Sequence, residues 1–395
     1  MSKSQAWRIG NVHIVADGAT FEGEVVVEDG AITAVSPTDV SAERPAHQAD
    51  APYIDGEGGW LLPGFIDVHV HGGYGADFMD ATPEAFDTIT KFHASHGTTG
   101  MLATTVTQSP EALEAVVKTA AAYREGVMPY ASLLGVHLEG PFISEKWSGA
   151  QNPAYIVPPH TEWLKRWTVV YPQIIKMMTL APEKEGAYET IRWLTDNGIV
   201  AACGHTDALY EEIKGAAEHG LRHAVHTYNA MRGLHHREPG TLGGVLTTDT
   251  ISAEIIADGQ HVHPAAIDVL LRAKPADKVL LVSDAISAAG LSDGDYDLGG
   301  LPVIVKDGIA RLAEGGNLAG STLTMMNAFR FMLSNTKLTP AEVSRLASGN
   351  PAQLLGIADR TGSIASGKRA DLVWTDADFN IRRTWVRGCE VYSGD

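Results

Sequence analysis

Two histidines separated by one residue, His69 and His71, stand at the end of a short apolar run. Side chains two positions apart on a β-strand point to the same side, so both imidazoles can reach one metal ion. Taken alone, the pair could also arise by chance in a chain that contains 16 histidines. The spacing gains weight only if other ligands occupy comparable positions.

Further candidate ligands follow other apolar runs. They are Glu139, His205, His226 and Asp284. A carboxylate at the end of an apolar run is costly unless it is paired or binds a metal, although Glu139 could instead cap a helix or form a salt bridge, and Asp284 could be an ordinary N-cap. Nitrogen and carboxylate donors together favour metal-assisted hydrolysis, in which a bound ion lowers the pKa of water towards about 7 and a further carboxylate moves protons.

The other histidines are interpreted differently. His137 stands two residues before Glu139, and we interpret it as a packed core histidine. Four more fall on or beside predicted helices and are expected at the surface: His93, His96, His219 and His223.

A second group of candidates is basic. Arg232, His235, His236 and Arg237 all fall within residues 229–240, and His261 follows a later apolar run. In a chain whose formal net charge is -18, this concentration is typical of a site where arginine captures a phosphate. The alternative is a solvated surface loop.

The elements that must position these residues are short apolar runs separated by amphipathic helical stretches. Eight such runs occur, at 65–69, 99–103, 131–138, 174–180, 199–204, 222–227, 251–257 and 278–283. Continuous apolar strands separated by helices indicate a parallel sheet, and eight of them predict a closed α/β structure, the (β/α)8 TIM barrel. Such barrels carry their chemistry at the carboxyl ends of the strands, which is where the candidate ligands stand.

The chain ends have strand character instead. Asp29-Gly30 and Asp307-Gly308 each separate two short strand patterns, as in a two-residue hairpin. We predict that residues 1–60 and 358–395 form a small β-sandwich domain beside a barrel of residues 61–357. Residues 362–369 nearly match a phosphate-binding P-loop, but Arg369 replaces the required Ser or Thr and a strand pattern follows, so we predict a turn.

Composition narrows the functional classes. The chain has 395 residues, 44% hydrophobic and 20% charged, as in ordinary globular proteins. The net charge of -18 argues against nucleic-acid or anionic-membrane partners. The only cysteines, Cys203 and Cys389, imply no disulfide framework. With no signal-peptide pattern and no apolar stretch of membrane-spanning length, the protein is expected to be cytoplasmic.

Several blocks of the sequence resemble the N-acetylglucosamine-6-phosphate deacetylases of the amidohydrolase superfamily. The resemblance covers nearly the whole chain, and several blocks together make it specific. The blocks are residues 63–72 (PGFIDVHVHG), 137–142 (HLEGPF), 204–207 (GHTD), 228–231 (YNAM), 236–240 (HREPG), 318–321 (LAGS) and 367–372 (GKRADL).

This resemblance implies a role for each candidate ligand. Glu139, His205 and His226 would hold the principal divalent metal ion, zinc or iron, and His69 and His71 would hold a second ion. Asp284 would be the catalytic acid and base, working with a metal-bound hydroxide that attacks the acetyl group. Each subunit would therefore carry one or two ions.

The resemblance also implies a substrate and its contacts. The substrate would be N-acetylglucosamine 6-phosphate, hydrolysed to glucosamine 6-phosphate and acetate. His261 would reach the phosphate of a neighbouring subunit, which implies a homodimer. The remaining contacts would come from Ala150, Gln151, Asn229, Ala230, Arg237, Leu318, Ala319 and Gly320.

One position departs from part of the family. Many members have histidine where this chain has Gln151, and an uncharged amide weakens any mechanism in which an imidazolium polarises the acetyl group. Polarisation by the metal is then the favoured route, in keeping with the intact His69 and His71 pair. Two alternatives stay open: the same reaction on the galactosamine epimer, and a catalytically silent scaffold, which would be expected to have lost metal ligands.

Overall fold

The computed structural model of the chain describes residues 6–16, 18–38 and 51–394. Parts of the predicted sandwich segment 1–60, namely residues 1–5, 17 and 39–50, lie outside the described residues. The strands are β1 (Trp7–Ala16), β2 (Ala19–Glu28), β3 (Ala31–Pro37), β4 (Tyr53–Pro63), β5 (Phe65–Val70), β6 (Gly72–Gly73), β7 (Ala76–Asp77), β8 (Thr98–Thr105), β9 (Ser132–Glu139), β10 (Ile175–Leu180), β11 (Val200–Cys203), β12 (His223–Ala224), β13 (Ser252–Ile256), β14 (Val279–Val282), β15 (Gly294–Leu298), β16 (Leu301–Lys306), β17 (Ile309–Leu312), β18 (Leu372–Thr375), β19 (Ile381–Val386) and β20 (Cys389–Ser393).

The helices lie mostly between the central strands. They are α1 (Pro83–Ala94), α2 (Pro110–Glu125), α3 (Glu162–Val170), α4 (Ala187–Asp196), α5 (Tyr210–His219), α6 (Gly240–Thr247), α7 (Pro264–Ala273), α8 (Met325–Asn335), α9 (Pro340–Ser344) and α10 (Asn350–Leu354). Several begin at a hydroxyl side chain that caps the first turn, as Ser109 does for α2 by accepting from the amide of Ala112. Over the described ranges, each helix is too short or too polar to cross a membrane.

The predicted barrel is confirmed. Strands β5 and β8–β14 form one parallel eight-stranded sheet whose order follows the chain, and each of the eight apolar runs supplies one strand. These strands are almost entirely buried because the sheet encloses one side and the helices cover the other. Their carboxyl ends therefore meet at one mouth of the barrel.

The first and last barrel strands are joined by polar contacts. Asp67 of β5 accepts from the hydroxyl of Ser283 at 2.5 Å and from its amide at 3.3 Å. The amide of Asp284 donates to the carbonyl oxygen of His69 at 2.8 Å. Burial raises the pKa of the Asp67 carboxyl to about 7 despite these donors. This seam fixes the spacing between the strand that carries His69 and the strand that precedes Asp284.

Both chain ends contribute to one further sheet, as the sequence predicts. Its seven strands follow the order β20-β19-β18-β4-β1-β2-β3. The sheet curls on itself: β18 and β4 lie between β19 and β1, yet the indole rings of Trp7 in β1 and Trp385 in β19 stack with their centroids 4.7 Å apart. The division at residues 60 and 358 stays a prediction.

The hairpins and the near P-loop also follow the sequence predictions. Asp29 and Gly30 connect β2 to β3, and Asp307 and Gly308 connect β16 to β17, all four with positive φ as this tight turn requires. Residues 362–369 form turns and are followed by strand β18 instead of a helix.

Candidate metal centre and active site

The carboxylate of Glu139, the last residue of β9, is the centre of the site. Its Oε1 lies 3.0 Å from His226 Nε2, 3.1 Å from His205 Nε2 and 3.3 Å from His69 Nε2. Its Oε2 lies 3.4 Å from His71 Nε2. One carboxylate thus faces four imidazoles from three other barrel strands, which is the arrangement expected of a ligand shared between two cations.

The opposite ring nitrogens define which atoms face the centre. Nδ1 of His69 lies 2.8 Å from Glu254 Oε2, that of His205 lies 2.9 Å from the carbonyl oxygen of Trp147, and that of His226 lies 3.2 Å from the carbonyl oxygen of Asn229. Each acceptor requires a proton on Nδ1, which leaves the Nε2 lone pair directed at the centre.

This donor set fits a divalent cation. The Nε2 atoms of His205 and His226 lie 3.1 Å apart, and both approach a carboxylate oxygen that can only accept. Nε2 of His69 is buried with no hydrogen-bond partner among the described residues. Lone pairs converging from all sides at about 3 Å are stabilised when a positive ion lies between them. The unprotonated Nε2 atoms and the carboxylate therefore match the ligand types that zinc and iron bind.

Asp284 completes the site from the end of β14. Its Oδ1 lies 3.2 Å from His71 Nε2 and 3.6 Å from His69 Nε2. His69, His71 and Asp284 form one buried group that could hold an ion, and His69, Glu139 and His226 form another. The two groups share His69, so the predicted ligands form one continuous centre.

The electrostatics of the centre also favour a cation. Burial opposes charge on His69, but the carboxylates of Glu254, Glu139 and Asp284 outweigh it and raise the pKa of this imidazole well above its ordinary value. Burial likewise opposes ionisation of Asp284, but His69 and His71 hold the pKa of its carboxyl below the ordinary range. The site therefore concentrates carboxylates, whose negative charge a bound cation would balance.

Several site residues adopt the left-handed backbone region. His205 has φ 48°, His226 has φ 30°, Ala230 has φ 48° and Asp284 has φ 50°. Such conformations cost about 1–3 kcal/mol each for ordinary side chains and concentrate at functional sites. The turns that follow the strands are therefore shaped to aim these side chains into the barrel mouth.

A pocket of about 420 Å³ opens over the metal centre. Twelve of the residues predicted from the sequence line it: His71, Glu139, Ala150, Gln151, His205, His226, Asn229, Ala230, His261, Asp284, Leu318 and Gly320. The sequence analysis missed other lining residues, among them Lys146, Trp147 and Asn317. Lys146 and Trp147 both bind the carboxylate of Asp207, at 3.1 and 2.7 Å, and no local sequence pattern marks that pairing.

Three predicted site residues do not line this pocket. His69 is fully buried beneath it. Ala319 is also fully buried and packs with Val106 and Ile286 in the small core under β15–β17. Arg237 is exposed on its loop, where its guanidinium lies 2.9 Å from His236 Nε2. Arg237 therefore faces solvent in the single chain.

His261 lines the pocket of its own chain, whereas the family resemblance implied that it reaches the phosphate in a neighbouring subunit's site. The carboxylate of Asp258 accepts from the His261 amide at 2.8 Å and lies 2.7 Å from its Nδ1. This short turn after β13 fixes the imidazole over the barrel mouth. The contribution of His261 to a neighbouring subunit's site stays a prediction.

Gln151 contacts the metal centre directly. Its Nε2 donates to Glu139 Oε2 at 2.6 Å, and its Oε1 accepts from the amide of Thr107 at 2.5 Å. A histidine would present one donor and one acceptor here only as a neutral imidazole in one particular tautomer. The amide therefore serves as a neutral donor that orients the Glu139 carboxylate.

His137 is confirmed as a core histidine, but two surface predictions are wrong. His137 is fully buried, its Nε2 lies 2.7 Å from Thr179 Oγ1, and burial lowers its pKa to about 3. His93 and His223 were expected at the surface and are fully buried as well. His93 Nε2 lies 2.9 Å from the carbonyl oxygen of Gly72. His223 belongs to β12, a strand of only two residues that closely follows the preceding helix.

Glu254 is a functional candidate that the sequence analysis missed. It is fully buried in the middle of β13, with Oε2 2.8 Å from His69 Nδ1 and Oε1 2.8 Å from His223 Nε2. His223 continues to Ser252 Oγ at 2.7 Å. A glutamate inside an apolar run was the available signal, since a buried carboxylate requires partners of this kind.

We expect Glu254→Gln to weaken metal binding about 10–100-fold, as is typical when the partner of a ligating histidine changes. The amide can accept from only one of the two imidazoles, so either His69 loses its oriented tautomer or His223 loses its acceptor. Calorimetric titration of the metal-free protein with Zn²⁺ measures the affinity independently of activity. Ser252→Ala is the matched control, because it removes the far end of the chain of contacts and leaves Glu254 on His69. Equal Zn²⁺ affinity in Glu254→Gln and in the wild type would contradict this role.

The fold and the site together define a metal-dependent hydrolase built on a (β/α)8 barrel. Residues 60–391 match the model of the amidohydrolase family. The chain belongs to this family, and within it to the N-acetylglucosamine-6-phosphate deacetylases.

Individual relatives support the same assignment. The N-acetylglucosamine-6-phosphate deacetylase of Bacillus subtilis (strain 168) is 41% identical over 384 residues, covering 96% of each chain. The N-acetylgalactosamine-6-phosphate deacetylase of Escherichia coli O157:H7 is 37% identical over 95% of this chain and 96% of that one. A solved structure of the N-acetyl-D-glucosamine-6-phosphate deacetylase of Mycobacterium smegmatis, an aspartate-to-alanine mutant in complex with N-acetyl-D-glucosamine-6-phosphate, has TM-score 0.90 at 30% identity. The match covers 99% of this chain and 100% of that chain.

Proposed function

We propose that the protein hydrolyses N-acetylglucosamine 6-phosphate to glucosamine 6-phosphate and acetate. The observation that carries this proposal is the convergence of Glu139 with four Nε2 atoms beside the carboxyl group of Asp284, in a chain similar to deacetylases of this substrate. The preserved donor set opposes the alternative of a catalytically silent scaffold, because a silent scaffold has no need for ligands held in one tautomer.

The proposed metal ligands fall into two groups. Glu139, His205 and His226 would hold the principal ion, and His69 and His71 would hold a second one. Zinc or iron is the proposed metal, with one or two ions per subunit. When bound, such a cation polarises a carbonyl oxygen and lowers the pKa of water towards about 7.

Asp284 is proposed to move the proton. Its carboxyl group is only 7% exposed and its pKa is held below the ordinary range by His69 and His71 despite burial, so as a carboxylate it can accept a proton from the attacking water at Oδ1. The new C–O bond forms at the acetyl carbon, and the C–N bond then breaks. Protonation of the leaving nitrogen by the same carboxyl lets it leave as a neutral amine instead of an amide anion.

The remaining pocket residues are proposed to bind the sugar. Asn229 and Ala230 follow β12 and line the pocket, and the segment containing Leu318 and Gly320 forms another wall of it. The amide of Ser321 donates to the Asp284 carbonyl oxygen at 2.7 Å, so this wall also supports the proton carrier. Ala150 and Gln151 close the side nearest Glu139, and Ala319 supports the wall from behind.

The phosphate is proposed to meet His261 and Arg237. His261 lines the pocket, and Arg237 projects from the loop beside it into solvent. A homodimer in which His261 reaches the phosphate of a neighbouring subunit stays part of the proposal. Arg237 is exposed and does not line the pocket of its own chain, so it is also available to a second subunit. A cytoplasmic location also stays a proposal, consistent with two free cysteines at Cys203 and Cys389.

The galactosamine epimer remains a second candidate substrate, because a relative with 37% identity is named for it. An assay of acetate release from both epimeric 6-phosphates, with added zinc, iron or manganese, tests the proposed reaction. We expect turnover of the gluco epimer with at least one metal. The proposal would be contradicted if neither epimer released acetate with any of the three metals.

The same assay tests the phosphate contacts. Removing the 6-phosphate from the substrate is expected to cost about 2–5 kcal/mol in kcat/KM, because a desolvated charge pair loses one partner. Arg237→Ala should reduce the discrimination between phosphorylated and unphosphorylated sugar, while Arg192→Ala, an exposed arginine of α4, serves as the control. Equal turnover of the two sugars by the wild type would remove the phosphate site from the proposal.

A further inference from the structure

A second pocket, of about 430 Å³, lies at the opposite face of the barrel, beside the first residues of β9 and β10. We call it the basic pocket, defined by five cationic lining residues: Arg124, Lys176, Arg360, Arg369 and Arg387. They come from the end of α2, the start of β10, the loop after α10, the segment before β18 and the turn between β19 and β20. The fold thus brings together five cations that are distant in sequence.

These cations have few acidic partners. No aspartate or glutamate lines the pocket within the described ranges, although the chain has 48 acidic and only 30 basic residues. Arg124 donates to the Gln173 carbonyl oxygen at 3.3 Å, and Lys176 donates to its Oε1 at 3.3 Å. Both partners are neutral and leave the positive charges uncompensated.

The other three cations are only partly compensated. Arg387 donates to Ser132 Oγ at 3.2 Å. Arg360 lies 3.5 Å from Asp359 in an exposed pair, which contributes little. The buried carboxyl of Asp371, behind the pocket, accepts from the Arg387 amide at 2.8 Å. The lining therefore contains five cationic side chains, and both Asp359 and Asp371 lie outside it.

Like charges lie close enough in the pocket to oppose one another. Burial first, and then the positive charges of Arg124 and Arg360, lower the pKa of Lys176 below its ordinary value. Burial and Arg387 act on Arg124 in the same direction. A bound anion would relieve this repulsion, because each cation would gain an opposite charge within a few ångströms.

We propose that the basic pocket binds a small polyanion that carries more than one phosphate group. A single phosphate can be met by two arginines, whereas five cations spread around 430 Å³ match separated phosphates on one small molecule. Met128, Leu134, Leu355 and Ile357 supply an apolar wall for the carbon framework between those phosphates.

This pocket is separate from the metal centre. Strand β9 begins at Ser132 in the basic pocket and ends at Glu139 in the metal centre, which places the two sites about 20 Å apart at the usual rise per strand residue. The proposal is therefore independent of the reaction proposed above. It also means that pocket variants leave the ligands of the metal centre untouched.

Calorimetric titration of the full-length, metal-containing protein with fructose 1,6-bisphosphate tests the proposal, with inorganic phosphate and fructose as comparison probes. Saturating glucosamine 6-phosphate is present throughout, to occupy the pocket over the metal centre. We expect the bisphosphate to bind, more tightly than inorganic phosphate, and fructose not to bind. The paired variant Lys176→Gln/Arg360→Gln should weaken this binding about tenfold or more, since two charge contacts are lost.

The matched control is Lys165→Gln/Arg192→Gln, which removes the same net charge from exposed positions outside the pocket. It should change the affinity by less than about twofold, because exposed charges at a distance are screened by salt. Unchanged melting temperature and kcat in both paired variants would show that each remains folded. The proposal is overturned if the wild type does not bind the bisphosphate at millimolar concentration, if inorganic phosphate binds equally well, or if both paired variants weaken binding to the same extent.

Discussion

Glu139→Gln is expected to lose the bound metal and, with it, nearly all turnover. The carboxylate lies within 3.4 Å of all four imidazoles, and the amide replaces one negative oxygen with an NH2 group, which cannot bind a cation. Changes at outer partners of metal ligands cost about 10–100-fold in affinity, so a shared ligand should exceed the upper end of that range. Metal content of the purified protein and its calorimetric affinity for Zn²⁺ measure the effect.

The control for this variant is Glu162→Gln, which changes the same group at an exposed position at the start of α3. It should retain metal and activity. The melting temperature of Glu139→Gln in the absence of metal should stay close to that of the metal-free wild type, because the substitution preserves shape. Retention of a full complement of tightly bound metal by Glu139→Gln would show that the ions lie elsewhere.

The barrel and most of the centre were predictable from sequence because both depend on strand ends. Each apolar run fixes the position of one strand, and parallel strands place their carboxyl ends at the same mouth. Glu139 and His71 are 68 positions apart in the chain, and their proximity could therefore be predicted without knowledge of any contact between them. The prediction needed only the location of each run's last residues.

The outer contacts of the centre could not be predicted in the same way. Glu254 reaches His69 and His223 from the middle of a strand, so its partners depend on which side chains point inward and on the register between strands. The direction of the Arg237 side chain depends on the conformation of a loop that carries several basic residues. His261 faces its own pocket only because Asp258 holds the turn, and the sequence shows the two residues without showing that contact.

Asp284→Asn is expected to abolish turnover while leaving metal and substrate bound. The amide is nearly isosteric with the carboxylate, and asparagine tolerates the left-handed backbone that this position adopts at φ 50°. The backbone N–H of residue 284 would still donate to the His69 carbonyl oxygen and keep the barrel seam closed. The fold and the positions of His69 and His71 should therefore survive the change.

The chemical loss in Asp284→Asn is specific. An amide cannot accept the proton of the attacking water, nor return one to the leaving nitrogen. General acid–base catalysis contributes about 10² to 10⁴ in rate, and one group serving both halves of the reaction should reach or exceed the upper end of that range. The affinity for unreacted substrate should change little, because the proposed sugar and phosphate contacts come from other residues.

The measurement is kcat together with metal content and calorimetric binding of substrate, and Asp196→Asn, an exposed position in α4, is the matched control. If kcat is lost while the affinities for metal and substrate are retained, Asp284 acts in proton transfer and not as a metal ligand. Removal of a ligand would weaken the binding of the ion. A variant that retained more than about a tenth of the wild-type kcat would exclude Asp284 as the proton carrier. A variant that lost its metal would instead make the contact of Asp284 with His71, at 3.2 Å, part of the ligand shell, and the proton would then have to leave through another group.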